Sequence, residues 1–228
     1  MNSKAVSVCL KIITAVSAVL GTFISAFAGR KAFMGGSTVF MYFTIQSNIA
    51  VAVIALIGLC FMLSGKKPGR AWDVIKLVGT VAITLTGVVF CFVLAPTLGD
   101  KAWNFQNILT HVVVPVAAIA DFFVQASEYD IKKRSVLWVV VPPILYAIYA
   151  GIGYVLGWEF APGYNYPYFF LNWGSPAGAF GFSDEMPFMG CAWWILLILI
   201  FLISLGRCYL LIAEKIKKKA LSRENKSV

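Results

Sequence analysis

The sequence predicts an all-α, polytopic integral membrane protein with six transmembrane helices and both termini cytoplasmic. Six apolar runs, residues 5–28, 38–63, 74–96, 107–125, 135–157 and 188–213, each approach or exceed the about 20 residues needed to cross the hydrocarbon core. The chain is 60% hydrophobic and 13% charged, too apolar for a soluble domain to cover with polar groups. Sixteen of the 19 Lys and Arg residues fall on the side of the N-terminus, leaving Arg30, Lys31 and Lys101 opposite. By the positive-inside rule that side is the cytoplasm, and the expected location is the cell membrane.

The first run ends in Ala26-Phe27-Ala28, which mimics a signal-peptide cleavage site. Its length and the Arg30-Lys31 pair behind it favour an uncleaved anchor. Lys11 lies inside this run at about the depth of Asp121 in the fourth, so a structural ion pair is expected between them. The second run opens on Tyr42-Phe43-Thr44-Ile45-Gln46-Ser47-Asn48, four hydrogen-bonding side chains in five positions. Ser17, Thr80, Thr84 and Thr86 read as packing residues in small-residue helix contacts. In the fourth run Asn104, Asn107 and His111 form a polar stripe if the helix starts early enough. Pro115 should bend that helix and free the carbonyl of His111. Pro142 and Pro143 open the fifth run.

The loop 158–187 has no Lys or Arg and carries Trp158, Tyr164, Tyr166, Tyr168, Phe169, Phe170 and Trp173. It reads as an interfacial aromatic belt or as a lid over an outer cavity. Residues 1–213 form the membrane domain. The tail 214–228, with Lys215, Lys217, Lys218 and Lys219, is expected to rest on anionic lipid headgroups.

Several function classes are excluded at this point. The basic residues flank apolar runs and make no patch interleaved with aromatics, so no nucleic-acid partner is expected. The five cysteines lie in apolar segments without a C-x-x-C pair and act as small fillers. One histidine and no paired cysteines give no metal site, and no phosphate-binding glycine loop is present, so no cofactor is expected.

What remains is a chemical question about Thr44 and the single histidine. At about 100° per residue, Thr44, Ser47 and Asn48 share one face of the second helix, and Gln46 points elsewhere. Two polar stripes near the outer leaflet look like two walls of a wet cavity. A threonine in a membrane helix commonly bonds back to the preceding turn. It becomes a nucleophile only when a base removes its proton, and histidine suits that role near neutral pH. Asn48 is the candidate oxyanion donor, Gln46 a weaker one, and Asn107 the candidate for orienting His111. Ser47, Tyr166 and Tyr168 are candidates for the substrate cavity or its lid.

The six-span order, Tyr42-Phe43-Thr44 early in the second run and His111-x-x-x-Pro115 early in the fourth resemble the androgen-induced-gene family. Phe43-Thr44-Ile45-Gln46-Ser47-Asn48 and Tyr164-Asn165-Tyr166-Pro167-Tyr168 resemble its prokaryotic branch. The resemblance covers nearly the whole chain in topology and rests on three short motifs. It implies a membrane threonine hydrolase that cleaves fatty acid esters of hydroxy fatty acids or a related acyl ester. By resemblance Thr44 is the nucleophile and His111 its partner, and the substrate is a lipid ester reaching the site from the bilayer. Animal members differ where Gln46, Ser47 and Asn48 stand here, a difference that bears on the substrate rather than the nucleophile. The alternatives are a transporter or small-ligand-binding membrane protein, and a non-catalytic scaffold.

Overall fold

The computed structural model describes residues 3–27 and 36–225, and among them six helices are long and apolar enough to cross a membrane. They are α1 Ser3–Phe27, α2 Phe43–Ser64, α3 Arg70–Ala102, α4 Phe105–Val124, α5 Lys133–Val155 and α6 Cys191–Glu224. No strand is present among the described residues, only the isolated bridges Ala161–Tyr164 and Phe182–Met189. Ala28, Arg30, Lys31 and Lys226, used above for the cleavage-site mimic and the charge balance, lie outside the described residues.

A bilayer offers the backbone no hydrogen bonds, so a spanning segment must satisfy its own, as a helix does. The outward faces are accordingly apolar: Val16, Val19 and Phe23 on α1, Val53 and Leu56 on α2, and Leu145 and Ile148 on α5 are all exposed. In water that surface would be an aggregation hazard; in lipid it is the expected coat. Gly65 ends α2 in the left-handed conformation at φ 67°, a position glycine fills without a Cβ penalty.

Helix α3 is the hub, packing against α2, α4, α5 and α6, while α1 lies on α2 and α4. At mid-depth, Ala18, Val51, Ala52, Ile83, Val114 and Ala118 make a dry layer of buried apolar side chains. Polar groups gather on either side of it.

On the side where the chain begins and ends, the expected Lys11–Asp121 pair is present, with Lys11 Nζ 2.7 Å and 3.0 Å from the two carboxylate oxygens. Lys76, counted above as a topology signal, also turns inward and reaches Asp121 at 2.5 Å. Ser7 Oγ donates to the same carboxylate and Lys11 donates to Gln125 Oε1 at 2.7 Å. All three charged side chains are buried, so this cluster sets two ammonium groups against one carboxylate.

Three elements depart from the expected boundaries. The second span was expected from residue 38, but Gly36–Met41 is a 3₁₀ turn and α2 begins at Phe43. Thr44 therefore sits in the first turn of its helix rather than six residues inside. In α5, Lys133–Val140 is wound as 3₁₀ and becomes α at Val141, with Pro142 and Pro143 in the first α turn, where a missing N–H leaves no gap. The helix of the sixth span continues past residue 213 into the basic stretch: α6 runs unbroken to Glu224, and Lys217 donates to the Tyr129 carbonyl at 2.8 Å.

Candidate functional site

The site is built on two π-helical turns, the wider i→i+5 windings that recur at functional positions. One is Phe90–Leu94 in α3 and the other Leu109–Val113 in α4. Each is followed by one residue and then a proline, Pro96 and Pro115. The π turn shifts the register expected from Pro115. Val114 N–H reaches Leu109 C=O, so on that register the missing proline N–H would have served Thr110. The Thr110 carbonyl is instead met by the Asn48 side-chain amide at 3.1 Å. Neighbouring helices come close here because they carry glycine. A Cβ on Gly87 of α3 would stand 2.9 Å from the His111 carbonyl, and one on Gly21 of α1 would stand 2.6 Å from Thr110 Cγ2.

His111 is buried and stacks on Phe90, ring centroids 3.8 Å apart at 19°. Its Nδ1 lies 3.0 Å from the Asn107 carbonyl and 3.0 Å from Thr110 Oγ1. A carbonyl can only accept. The Thr110 hydroxyl spends its own hydrogen on the Gln106 carbonyl at 2.9 Å, so toward the imidazole it too accepts. Both contacts therefore place the proton on Nδ1, and the neutral ring keeps a lone pair on Nε2. That nitrogen has no hydrogen-bond partner among the described residues. Asn107 orients the histidine as expected of that position, but through its backbone carbonyl; its side chain donates to the Ala102 carbonyl at 2.9 Å. Asn104 is the N-cap of α4, accepting from Asn107 N–H at 2.9 Å.

Thr44 approaches from α2. In the first turn its N–H has no intrahelical acceptor, and it points to the Tyr168 hydroxyl at 3.4 Å, with Thr44 Oγ1 3.5 Å from the same oxygen. Tyr168 is set by stacking on Phe170, centroids 5.1 Å apart at 4°, and by an edge contact with Tyr42 at 5.8 Å. Tyr42 in turn donates to the Phe160 carbonyl at 3.0 Å, and Tyr146 donates to the Met41 carbonyl at 3.0 Å. Desolvation raises the Tyr168 phenol above its ordinary range, so at neutral pH it is a hydrogen-bond donor.

Thr44 and His111 line one chamber of about 380 Å³, roofed by Tyr166, Pro167 and Tyr168 of the aromatic loop. The two do not hydrogen-bond to each other among the described residues. Compared with protein-family models, curated proteins and solved structures, the chain matches none. The site has to be read from its own geometry.

Tyr166 and Tyr168 line the chamber, but three other candidates take different posts. Asn48 is fully buried and both amide hydrogens are used, one on the Thr44 carbonyl at 2.8 Å and one on the Thr110 carbonyl. Flipping the amide would aim its oxygen at two carbonyls, so this orientation is fixed, and no donor is left for an oxyanion. Ser47 bonds Thr86 on α3 at 2.8 Å and faces a groove on the opposite side of α2. Gln46 donates to the Phe40 carbonyl at 3.1 Å and lines that same groove. Asn48 joins the Thr44 turn of α2 to the Thr110 turn of α4. Asn48→Leu, which takes the donor from the buried Thr110 carbonyl while Ser47 still serves that of Thr44, is expected to lower stability by about 1–3 kcal/mol. Thermal unfolding in detergent measures it, and an unchanged midpoint would deny Asn48 this linking role.

Proposed function

We propose that this chain is a membrane-embedded lipid ester hydrolase with Thr44 as nucleophile, His111 as general base and no cofactor. The observation that carries the reading is the fixed tautomer of His111, which leaves Nε2 as the basic nitrogen of a residue that lines the same chamber as Thr44. Nε2 takes the Thr44 proton, directly once the loaded site closes or through one bridging water, as Oγ1 bonds to the ester carbonyl carbon. Collapse of the tetrahedral intermediate breaks the bond to the alkoxy oxygen, which leaves with the proton from His111. Water, deprotonated by the same nitrogen, then releases the acyl group as a carboxylic acid.

The oxyanion needs donors near the nucleophile. Thr44 N–H, at the positive end of α2, is held only by a long bond to the Tyr168 hydroxyl; both groups would turn to an oxyanion formed at Thr44 and replace Asn48 in that role. Tyr168→Phe is expected to reduce turnover about 10- to 1000-fold with little change in KM. Unchanged turnover would remove Tyr168 from the oxyanion site.

The resemblance to the androgen-induced-gene family supports esters of hydroxy fatty acids as the substrate class. The excess of Lys and Arg on the terminal side supports cytoplasmic termini in a cell membrane, with the site toward the outer leaflet. A transporter gains one point from the structure, since the Lys11–Asp121–Lys76 cluster makes the inner half more polar than its sequence suggests. Against it, the apolar cluster of Ala18, Val51, Ala52, Ile83, Val114 and Ala118 lies between that charged cluster and the chamber. Labelling the native protein in membranes with a fluorophosphonate, followed by peptide mass spectrometry, tests the hydrolase. The adduct is expected on Thr44; its absence, or an adduct elsewhere, overturns the assignment.

A further inference from the structure

Thr44 belongs to two cavities at once. The chamber holds His111 and polar groups such as Asn104, Asn107 and Thr110, and it measures about 380 Å³. The second is a narrow cleft of about 60 Å³ between α2, α3, α5 and α6. Its walls are almost wholly apolar, among them Val89, Ala147, Leu171, Ile195 and Leu199. The hydroxyls that border it are committed: Thr86 to Ser47 at 2.8 Å and Tyr146 to the Met41 carbonyl at 3.0 Å. Only Thr44, Phe90, Leu94 and Tyr168 border both spaces.

We propose that the two cavities divide the ester at its carbonyl, with the acyl chain in the apolar cleft and the alcohol portion in the polar chamber. The inference rests on the hydrolase reading and adds a direction to it. In the acyl-transfer step the base must return its proton to the departing alkoxide, so that oxygen has to face His111. His111 lines the chamber and not the cleft. The alcohol side therefore lies in the chamber, and the carbonyl carbon at Thr44 sends its other substituent the opposite way. There it meets a slot that excludes bulky or polar groups and accepts one extended hydrocarbon chain. Of the α5 and α6 residues on this slot, Tyr146 is buried but Ala147, Ile195 and Leu199 are only half-buried, and their neighbours Leu196 and Ile200 are exposed. A long chain thus enters between α5 and α6 from lipid, and its far end stays there.

Alkylfluorophosphonates test this, because the alkyl group on phosphorus takes the acyl position and fluoride is the common leaving group. Butyl and hexadecyl probes are applied to membranes holding the native chain, Ala147→Phe or Leu199→Phe, which narrow the cleft, and Thr97→Trp, which fills part of the chamber. Both probes are expected to label native Thr44. The cleft variants are expected to slow hexadecyl labelling about tenfold or more while butyl labelling stays within about twofold, which also certifies the fold. Thr97→Trp is expected to leave the ratio of the two rates unchanged. Equal slowing of both probes by both cleft variants, or loss of hexadecyl selectivity in Thr97→Trp, overturns the division of the substrate. Native protein that takes neither probe overturns the hydrolase itself, a separate result.

Discussion

Thr44→Ala is expected to abolish ester hydrolysis, lowering kcat on the order of ten-thousand-fold, and to leave thermal unfolding nearly unchanged. The methyl side of Thr44 makes no bond that the fold depends on, and the carbonyl that Asn48 grips belongs to the backbone and survives the substitution. His111→Ala is expected to lose about as much activity, because without a base the hydroxyl stays protonated and without an acid the alkoxide leaves poorly. The double variant is the sharper measurement. Residues that act as one unit are grossly non-additive, so Thr44→Ala with His111→Ala is expected to fall within about tenfold of either single variant. Losses that instead multiply would mean that the two side chains contribute separately, and the dyad would be wrong.

The largest stability effect is expected at Asp121. Asp121→Asn leaves the Lys11 and Lys76 ammonium groups facing each other in a buried site without an anion. Removing one partner of a buried ion cluster costs about 3–5 kcal/mol, far more than the intact cluster contributes. The measurement is the unfolding midpoint in detergent, compared with the triple variant Lys11→Met, Lys76→Met, Asp121→Leu. The triple variant is expected to be near native or more stable, since no stranded charge remains. A triple variant as unstable as Asp121→Asn would show that the carboxylate matters for its hydrogen bonds, to Ser7 among others, and not for the charge it neutralises.

The six spans were legible because apolar length is a property of composition that packing does not alter. The Lys11–Asp121 pair was legible for a related reason: two opposite charges at one depth in lipid have few other partners. Lys76 was missed because a lysine close behind the basic stretch Lys66–Arg70 looks like a flanking charge, and only the packing of α3 turns it inward. Pro115 announced irregular backbone, but a proline is compatible with a kink or a π turn, and the sequence does not say which. Helical periodicity put Thr44, Ser47 and Asn48 on one face of α2, where Ser47 and Asn48 are buried and Thr44 is half-buried. It could not separate a side chain that faces substrate from one that meets another helix, and Ser47 and Asn48 both proved to be of the second kind. Tyr168 is the reverse case, a loop residue whose role depends on a contact with Thr44 across more than a hundred positions of chain.

The Asn48 amide has a mechanical consequence. A planar group with two fixed hydrogens grips one carbonyl on each of two helices, so the spacing between the halves of the site is that of a single rigid carboxamide. Sliding α2 along α4 by even one residue would break the bond to Thr110, the one of the two that crosses between the helices, and strand a buried carbonyl. Those two helices behave as a clamped frame. Whatever yields when a substrate is admitted has to be the tyrosine-rich roof or the seam between α5 and α6.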